Sequence, residues 1–139
     1  MKVREIMTSD VQVASPDDNL QRAAQLMEKN DFGVLPVGEN DRLVGMLSDR
    51  DIVIRAVARG LAPDRAKVRE VMSADVRYVY DDESVSEVAR KMSELQVRRL
   101  PVLNREKRLV GIVSLGDLAV NEPAPAGAAL SSISQPGHH

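Results

Sequence analysis

The alternation of apolar and polar residues predicts a short strand followed by an amphipathic helix near the start of the chain. Val11 and Val13 alternate with polar neighbours, which is typical of a strand. Residues 15–18 offer capping and first-turn side chains, and Asn30-Asp31 supplies a stop signal. Between them, one face with helical spacing predicts the buried side of a helix and contains Leu20, Ala23, Ala24 and Met27.

The next pattern predicts a hairpin and a second helix. Residues 35–37 and 43–47 are apolar β-type runs, and the turn-forming residues 38–41 separate them. Ser48 then opens a helix that Gly60 ends as a left-handed terminator. The apolar positions of this helix are Ile52, Val53, Ala56 and Val57.

The whole pattern occurs twice. Residues 3–11 return as residues 68–76, 65 positions later, with six identities in nine positions. Leu-Pro-Val at 35–37 returns at 100–102, and the helical stripe returns as Val85, Val88, Ala89 and Met92. We therefore expect an α/β (α+β) fold of two pseudo-symmetric β-α-β-β-α repeats. Since about 60 residues bury too little surface to be stable alone, the copies should pack through their sheets.

The repeat divides the chain into four predicted segments. Residues 1–61 form the first repeat, 62–67 a linker and 68–120 the second repeat. Residues 121–139 are rich in Pro, Ala and Ser, which is typical of a tail. We expect that truncation after Glu122 barely changes the melting temperature.

Composition argues against several function classes. A net charge of −2 argues against a nucleic-acid surface, and no long apolar run indicates a membrane span or signal peptide. The chain has no cysteine, and its only histidines are His138 and His139. No nucleophile-base pair, metal cluster or Walker loop is visible. These features predict a cytoplasmic protein that is not an enzyme and has no metal site.

Three duplicated motifs resemble a tandem pair of CBS domains, the regulatory repeat of the cystathionine-β-synthase type. They are Ile-Met-Thr at 6–8 with Val-Met-Ser at 71–73, the two Leu-Pro-Val strands, and Gly-x-x-Ser-x-x-Asp at 45–51 and 111–117. The resemblance implies a stand-alone Bateman module with a ligand cleft between paired repeats. It implies that no cofactor is required and that the regulatory ligand is AMP, ADP, ATP or S-adenosylmethionine.

The Ser-x-x-Asp motifs are the candidate binding residues. An ionised aspartate only accepts hydrogen bonds, which suits Asp51 and Asp117 to ribose hydroxyls. A serine at a strand-to-helix junction adds a donor beside the unpaired amides of the helix start, which favours a phosphate. The expected phosphate contacts are Ser48, Arg50, Ser114, Gly116 and, by resemblance, Arg99. The alternative interpretation of both motifs is a helix-capping box.

The two sites should be unequal. Asp49 in the first site repels a phosphate, although Arg50 can offset this effect. The Asp117 site should therefore be the better anion site. A neutral ligand, or none, fits the Asp51 site. Arg98 is interpreted as exposed or paired with an acid such as Glu94. By resemblance, the pocket walls are Thr8, Ser9, Asp10, Val11 and Phe32 for the Asp117 site, and Ser73, Val76 and Val97 for the Asp51 site. For Phe32 and Val97 the alternative is ordinary packing.

Two functions follow from this interpretation. The first is a sensor that binds an adenosine nucleotide and modulates an unidentified partner protein. The second is a ligandless dimeric scaffold in which the motifs only cap helices. In both we expect a homodimer, because the second helices carry apolar residues beyond what one sheet face needs, namely Ile52, Ile54, Val57 and Leu118.

Overall fold

A computed structural model of the chain describes residues 1–121 and Ile133. The first repeat begins with a 3₁₀ turn, Val3–Glu5. The first repeat contains helix α1 (Leu20–Asn30), strands β1 (Val34–Glu39) and β2 (Arg42–Ser48), and helix α2 (Asp49–Ile52), which continues as a π-helical segment, Val53–Val57. The second contains α3 (Val68–Val71), β3 (Val79–Tyr80), α4 (Val85–Leu95), β4 (Arg99–Leu103), β5 (Leu109–Ser114) and α5 (Leu115–Asn121).

The chain forms two compact units that do not follow the sequence repeats. The first-repeat unit comprises residues 12–76, and the second-repeat unit comprises residues 1–11 with the described residues from 77 on. Each unit therefore includes the segment with which the other repeat begins. The 3₁₀ turn belongs to the second-repeat unit, and α3 belongs to the first-repeat unit. The predicted packing of the copies through their sheets stays a prediction.

The first-repeat unit is built on the predicted hairpin. Strands β1 and β2 are antiparallel, with Leu35 opposite Leu47, and both side chains are buried. Asn40 and Asp41 have φ of 54° and 63°, the conformation that a tight hairpin turn needs. Gly60 has φ of +73°, so its predicted role as a left-handed helix terminator is confirmed.

The strand predicted at Val11 and Val13 does not form. Only Ala14 pairs with the sheet, through an isolated parallel bridge to Val37. The backbone N–H of Asp18 donates to the Ser15 carbonyl at 3.1 Å, so the chain turns directly after Ala14.

Helix α1 begins later than predicted. Asn19 is its N-cap, and the Asn19 side chain accepts from the backbone N–H of Arg22 at 2.8 Å. The helix ends at the predicted stop signal, where Asp31 adopts the left-handed conformation. Ala24 was expected in the core but is exposed, because the buried face instead centres on Leu20, Ala23 and Met27.

The second-repeat unit has a three-stranded sheet in the order β3-β4-β5, with β3 parallel to β4 and β4 antiparallel to β5. The predicted stripe of α4 is buried against this sheet. Leu118, predicted at a dimer surface, is instead fully buried in the same core. The tail was predicted to begin at residue 121, but Asn121 lies in helix α5. The rest of the tail prediction lies outside the described residues except at Ile133, which packs against this core.

The surface of the π-helical segment is apolar. Val53, Ile54 and Val57 are 54%, 51% and 62% exposed, whereas Ile52 is half-buried. Within residues 1–121, no helix has the length and apolar character needed to cross a membrane.

Candidate functional site

The two Ser-x-x-Asp motifs have the same geometry. The backbone N–H of Asp51 donates to Ser48 Oγ at 3.0 Å, and the backbone N–H of Ser48 donates to Asp51 Oδ2 at 2.9 Å. The corresponding distances for Ser114 and Asp117 are 3.1 and 2.9 Å. Both motifs are thus complete capping boxes. In each box, Oδ1 of the half-buried aspartate stays outside the reciprocal pair of bonds.

A glycine three residues before each serine admits a neighbouring segment of chain. A Cβ placed on Gly45 would lie 2.6 Å from Met72 Sδ, and a Cβ on Gly111 would lie 2.5 Å from Met7 Sδ and 2.9 Å from the Thr8 carbonyl oxygen. No side chain fits at these distances. Glycine therefore lets the Met-Thr and Met-Ser segments lie directly on the strands that lead to the motifs.

Each of these segments hydrogen-bonds to the strand that it covers. Thr8 and Ile112 exchange two backbone hydrogen bonds of 2.9 Å, and Ser73 and Met46 exchange bonds of 2.8 and 2.9 Å. The second-repeat unit therefore contains Asp117 together with the predicted wall residues Thr8, Ser9, Asp10 and Val11, and the first-repeat unit contains Asp51 together with Ser73 and Val76.

Phe32 and Val97 lie in the opposite units from the aspartates that the resemblance assigns to them. Their pairing with those sites stays a prediction. Within its own unit, Val97 packs against the core, and its backbone N–H donates to the Met92 carbonyl at 3.1 Å. The backbone N–H of Phe32 donates to the Met27 carbonyl at 3.0 Å.

We define the second-repeat site as Thr8, Arg99, Ser114, Gly116 and Asp117. Arg99 begins β4 directly opposite Ser114 in the sheet register, so the structure brings the predicted cation beside the predicted serine. Gly116 is exposed in the first turn of α5. Arg98 is exposed, and its predicted partner Glu94 instead lies 3.9 Å from Arg90 Nε.

We define the first-repeat site as Gly33, Ser48, Asp49, Arg50, Asp51 and Ser73. The backbone N–H of Asp49 donates to the Gly33 carbonyl at 2.8 Å, and a Cβ on Gly33 would lie 3.0 Å from Asp49 Oδ2. The sequence interpretation missed Gly33. Aligning the two repeats could have identified this position, because the residue equivalent to Gly33 in the second repeat is Arg98.

The pKa values that shift clearly belong to surface pairs outside both sites. A hydrogen bond of 2.6 Å from Arg69 lowers the pKa of Asp17, and hydrogen bonds from Arg105 lower the pKa of Asp82. The Asp17–Arg69 pair joins α3 to the body of the first-repeat unit. Over residues 1–121, no group of three His, Cys, Asp or Glu side chains is arranged to hold a metal.

Comparison with known proteins agrees with this arrangement. The sequence pattern of the family described as "CBS domain" matches residues 3–57 and 68–121. The chain is 41% identical over 139 residues to the CBS domain-containing protein YhcV of Bacillus subtilis, covering 99% of this chain and 98% of YhcV. It is 44% identical over 124 residues to Hypoxic response protein 1 of Mycobacterium tuberculosis, covering 88% and 86%.

Two solved structures are similar in fold. The crystal structure of Hypoxic Response Protein I with two coordinated zinc ions superposes with a TM-score of 0.79 at 43% identity, covering 88% of this chain and all of that chain. The CBS domain pair of protein MJ0100, in complex with 5′-methylthioadenosine and S-adenosyl-L-methionine, has a TM-score of 0.73 at 28% identity and covers 86% and 98%. With both repeats matched and each motif in place, the chain belongs to the CBS-domain family and carries two CBS domains in tandem.

Proposed function

We propose that this CBS pair is a sensor that binds an adenosine nucleotide at the second-repeat site and modulates a partner protein. The observation that carries the proposal is the position of Asp117. Its carboxylate is fixed by the capping box, Oδ1 is outside the box, and Thr8 and Arg99 flank the same strand end.

Asp117 suits a ribose because it combines a fixed orientation with acceptor capacity. An ionised carboxylate has about four lone-pair directions, and the capping box uses one oxygen for the Ser114 N–H. The remaining oxygen can accept from vicinal hydroxyls. Since the orientation is set before binding, less conformational entropy is lost on association.

The nearby cation supports a phosphate-bearing ligand. Arg99 lies opposite Ser114 in the sheet, and a guanidinium forms charge-assisted hydrogen bonds with phosphate oxygens. The MJ0100 pair, which binds two adenosyl compounds, supports an adenosine moiety as the common element of the ligand. We propose AMP, ADP or ATP for this chain on the strength of Arg99.

The ligandless scaffold remains the second candidate because both motifs are complete capping boxes. A capping box stabilises its helix without any ligand. The exposed apolar residues of the π-helical segment favour a homodimer under either function, since a large apolar patch on a surface marks an interaction site.

Asp117→Asn separates the two candidates. The asparagine carbonyl keeps the acceptor for the Ser114 N–H, while its NH₂ replaces the acceptor that the ribose needs. Under the sensor function, AMP affinity falls about tenfold or more, because charge-assisted hydrogen bonds contribute about 1.5–3 kcal/mol. The melting temperature of the free protein changes little. Calorimetry with AMP and thermal denaturation give both measurements.

Asp51→Asn is the matched control, since it makes the same change in the equivalent box. AMP affinity should fall far less in this variant. If the unmodified chain binds no adenosine nucleotide at millimolar concentration, the sensor function is wrong and the scaffold stands. If Asp51→Asn abolishes AMP binding and Asp117→Asn does not, the assignment to the second-repeat site is wrong.

A further inference from the structure

The residue after each motif serine differs in charge between the repeats. In the first-repeat site it is Asp49, and in the second-repeat site it is Leu115, which is buried. The backbone N–H of Asp49 donates to the carbonyl of Gly33, just before β1, and the backbone N–H of Leu115 donates to the carbonyl of Arg98, just before β4. Both distances are 2.8 Å. The two backbones are therefore equivalent, and the difference lies in the side chains.

The Asp49 carboxylate is held in place. Its Oδ1 accepts from the backbone N–H of Arg50 at 2.7 Å, and its Oδ2 occupies the space beside Gly33. Any side chain at position 33 would have its Cβ 3.0 Å from that oxygen, which is closer than ordinary contact. Gly33 and Asp49 therefore fit as a pair, and the second repeat has Arg98 and Leu115 in their places.

Arg50 donates its backbone N–H to this carboxylate. In the part of the chain that the structure describes, no ion pair within 4.0 Å joins the Arg50 and Asp49 side chains. Asp51 is the second carboxylate of the first-repeat site, and its Oδ1 lies 4.0 Å from Arg55 Nε. In the second-repeat site, Arg99 lies opposite Ser114 in the sheet register. The charge difference that distinguishes the two sites at this position is therefore the Asp49 carboxylate, which Leu115 replaces in the second repeat.

We propose that Asp49 determines the ligand specificity of the first-repeat site. It disfavours adenosine ligands with an anionic 5′ substituent and favours those whose 5′ substituent is cationic. This inference rests on the proposed function, because it assumes that the ribose of an adenosine ligand meets Asp51 as it meets Asp117. The two repeats then respond to ligands of opposite charge.

The test is Asp49→Asn in an Asp117→Asn background, in which AMP binding at the second-repeat site is weakened about tenfold or more. Asparagine keeps the acceptor for the Arg50 N–H and the fit beside Gly33, so it removes charge without changing shape. The probes are AMP, adenosine and S-adenosylmethionine, whose sulfonium is cationic. We expect calorimetry to show AMP affinity rising about fivefold, S-adenosylmethionine affinity falling about fivefold and adenosine affinity changing less than about twofold. A purely structural role of Asp49 does not predict opposite changes for an anion and a cation.

Asp64→Asn is the charge-matched control, because it removes one carboxylate from the exposed α2–α3 connection of the same unit. It should leave all three affinities unchanged. Equal changes for all three probes with Asp49→Asn, or no change, overturn the inference while the proposed function stands. So does an Asp117→Asn protein that binds none of the probes when the unmodified chain binds AMP. Failure of the unmodified chain to bind any probe overturns the proposed function itself.

Discussion

Replacing Gly111 with alanine tests the contact between residues 1–11 and strand β5. The new Cβ would lie 2.5 Å from Met7 Sδ and 2.9 Å from the Thr8 carbonyl oxygen. The methionine sulfur is near the end of a flexible side chain and can move at modest cost. The Thr8 carbonyl cannot, because it accepts the backbone hydrogen bond of Ile112 at 2.9 Å.

The expected loss of stability follows from that backbone contact. Overpacking of this kind typically costs about 1–3 kcal/mol. For a protein of this size, about 4 °C per kcal/mol corresponds to a fall of about 4–12 °C in melting temperature. Because Thr8 is also a proposed wall of the second-repeat site, its displacement should lower AMP affinity as well. Thermal and urea denaturation measure the first effect, and calorimetry measures the second.

Gly116→Ala is the matched control for Gly111→Ala. A Cβ on Gly116 would meet only Ser114 Oγ at 3.6 Å, an ordinary contact, and the residue lies in helix α5. Alanine there should stabilise the helix by about 0.5–1 kcal/mol. The reasoning is refuted if the free energies of unfolding of the two variants agree within about 0.5 kcal/mol, since residues 1–11 would then not press on β5.

Two further predictions concern assembly and pH. Ile54→Glu places a charge in the exposed apolar surface of the π-helical segment. Light scattering should therefore show a dimer for the unmodified chain and a monomer for this variant. A monomer mass for the unmodified chain at tens of micromolar contradicts the dimer. The pKa of Asp17 is lowered by Arg69, so this pair stabilises the fold above the ordinary carboxyl pKa of 3.8, and the contribution is lost as pH falls through the lowered value. NMR titration should show the Asp17 pKa rising in Arg69→Ala, and an unchanged titration contradicts the pairing.

The local motifs could be predicted from the sequence because they depend on neighbours along the chain. The hairpin turn, the left-handed ends at Asp31 and Gly60, and the reciprocal bonds of each Ser-x-x-Asp involve residues no more than a few positions apart. The duplicated motifs also identified the family, since two matched copies place the same chemistry at the same points of the same fold. The motif alone does not determine whether the boxes also bind ribose, because that depends on which groups from outside the motif approach the aspartate Oδ1.

The sequence by itself determined the repeats, most of their helices and strands, and the chemistry that each motif carries. Only the tertiary structure decided that Leu118 is buried while Ala24 is exposed, and that the Asp49 carboxylate lies beside Gly33. The strand expected at Val11 and Val13 is reduced to the bridge between Ala14 and Val37, since a strand needs a pairing partner from another part of the chain. Periodicity reports which residues share a face of one element, but burial and close approach depend on what packs against that face, and that partner comes from distant parts of the chain.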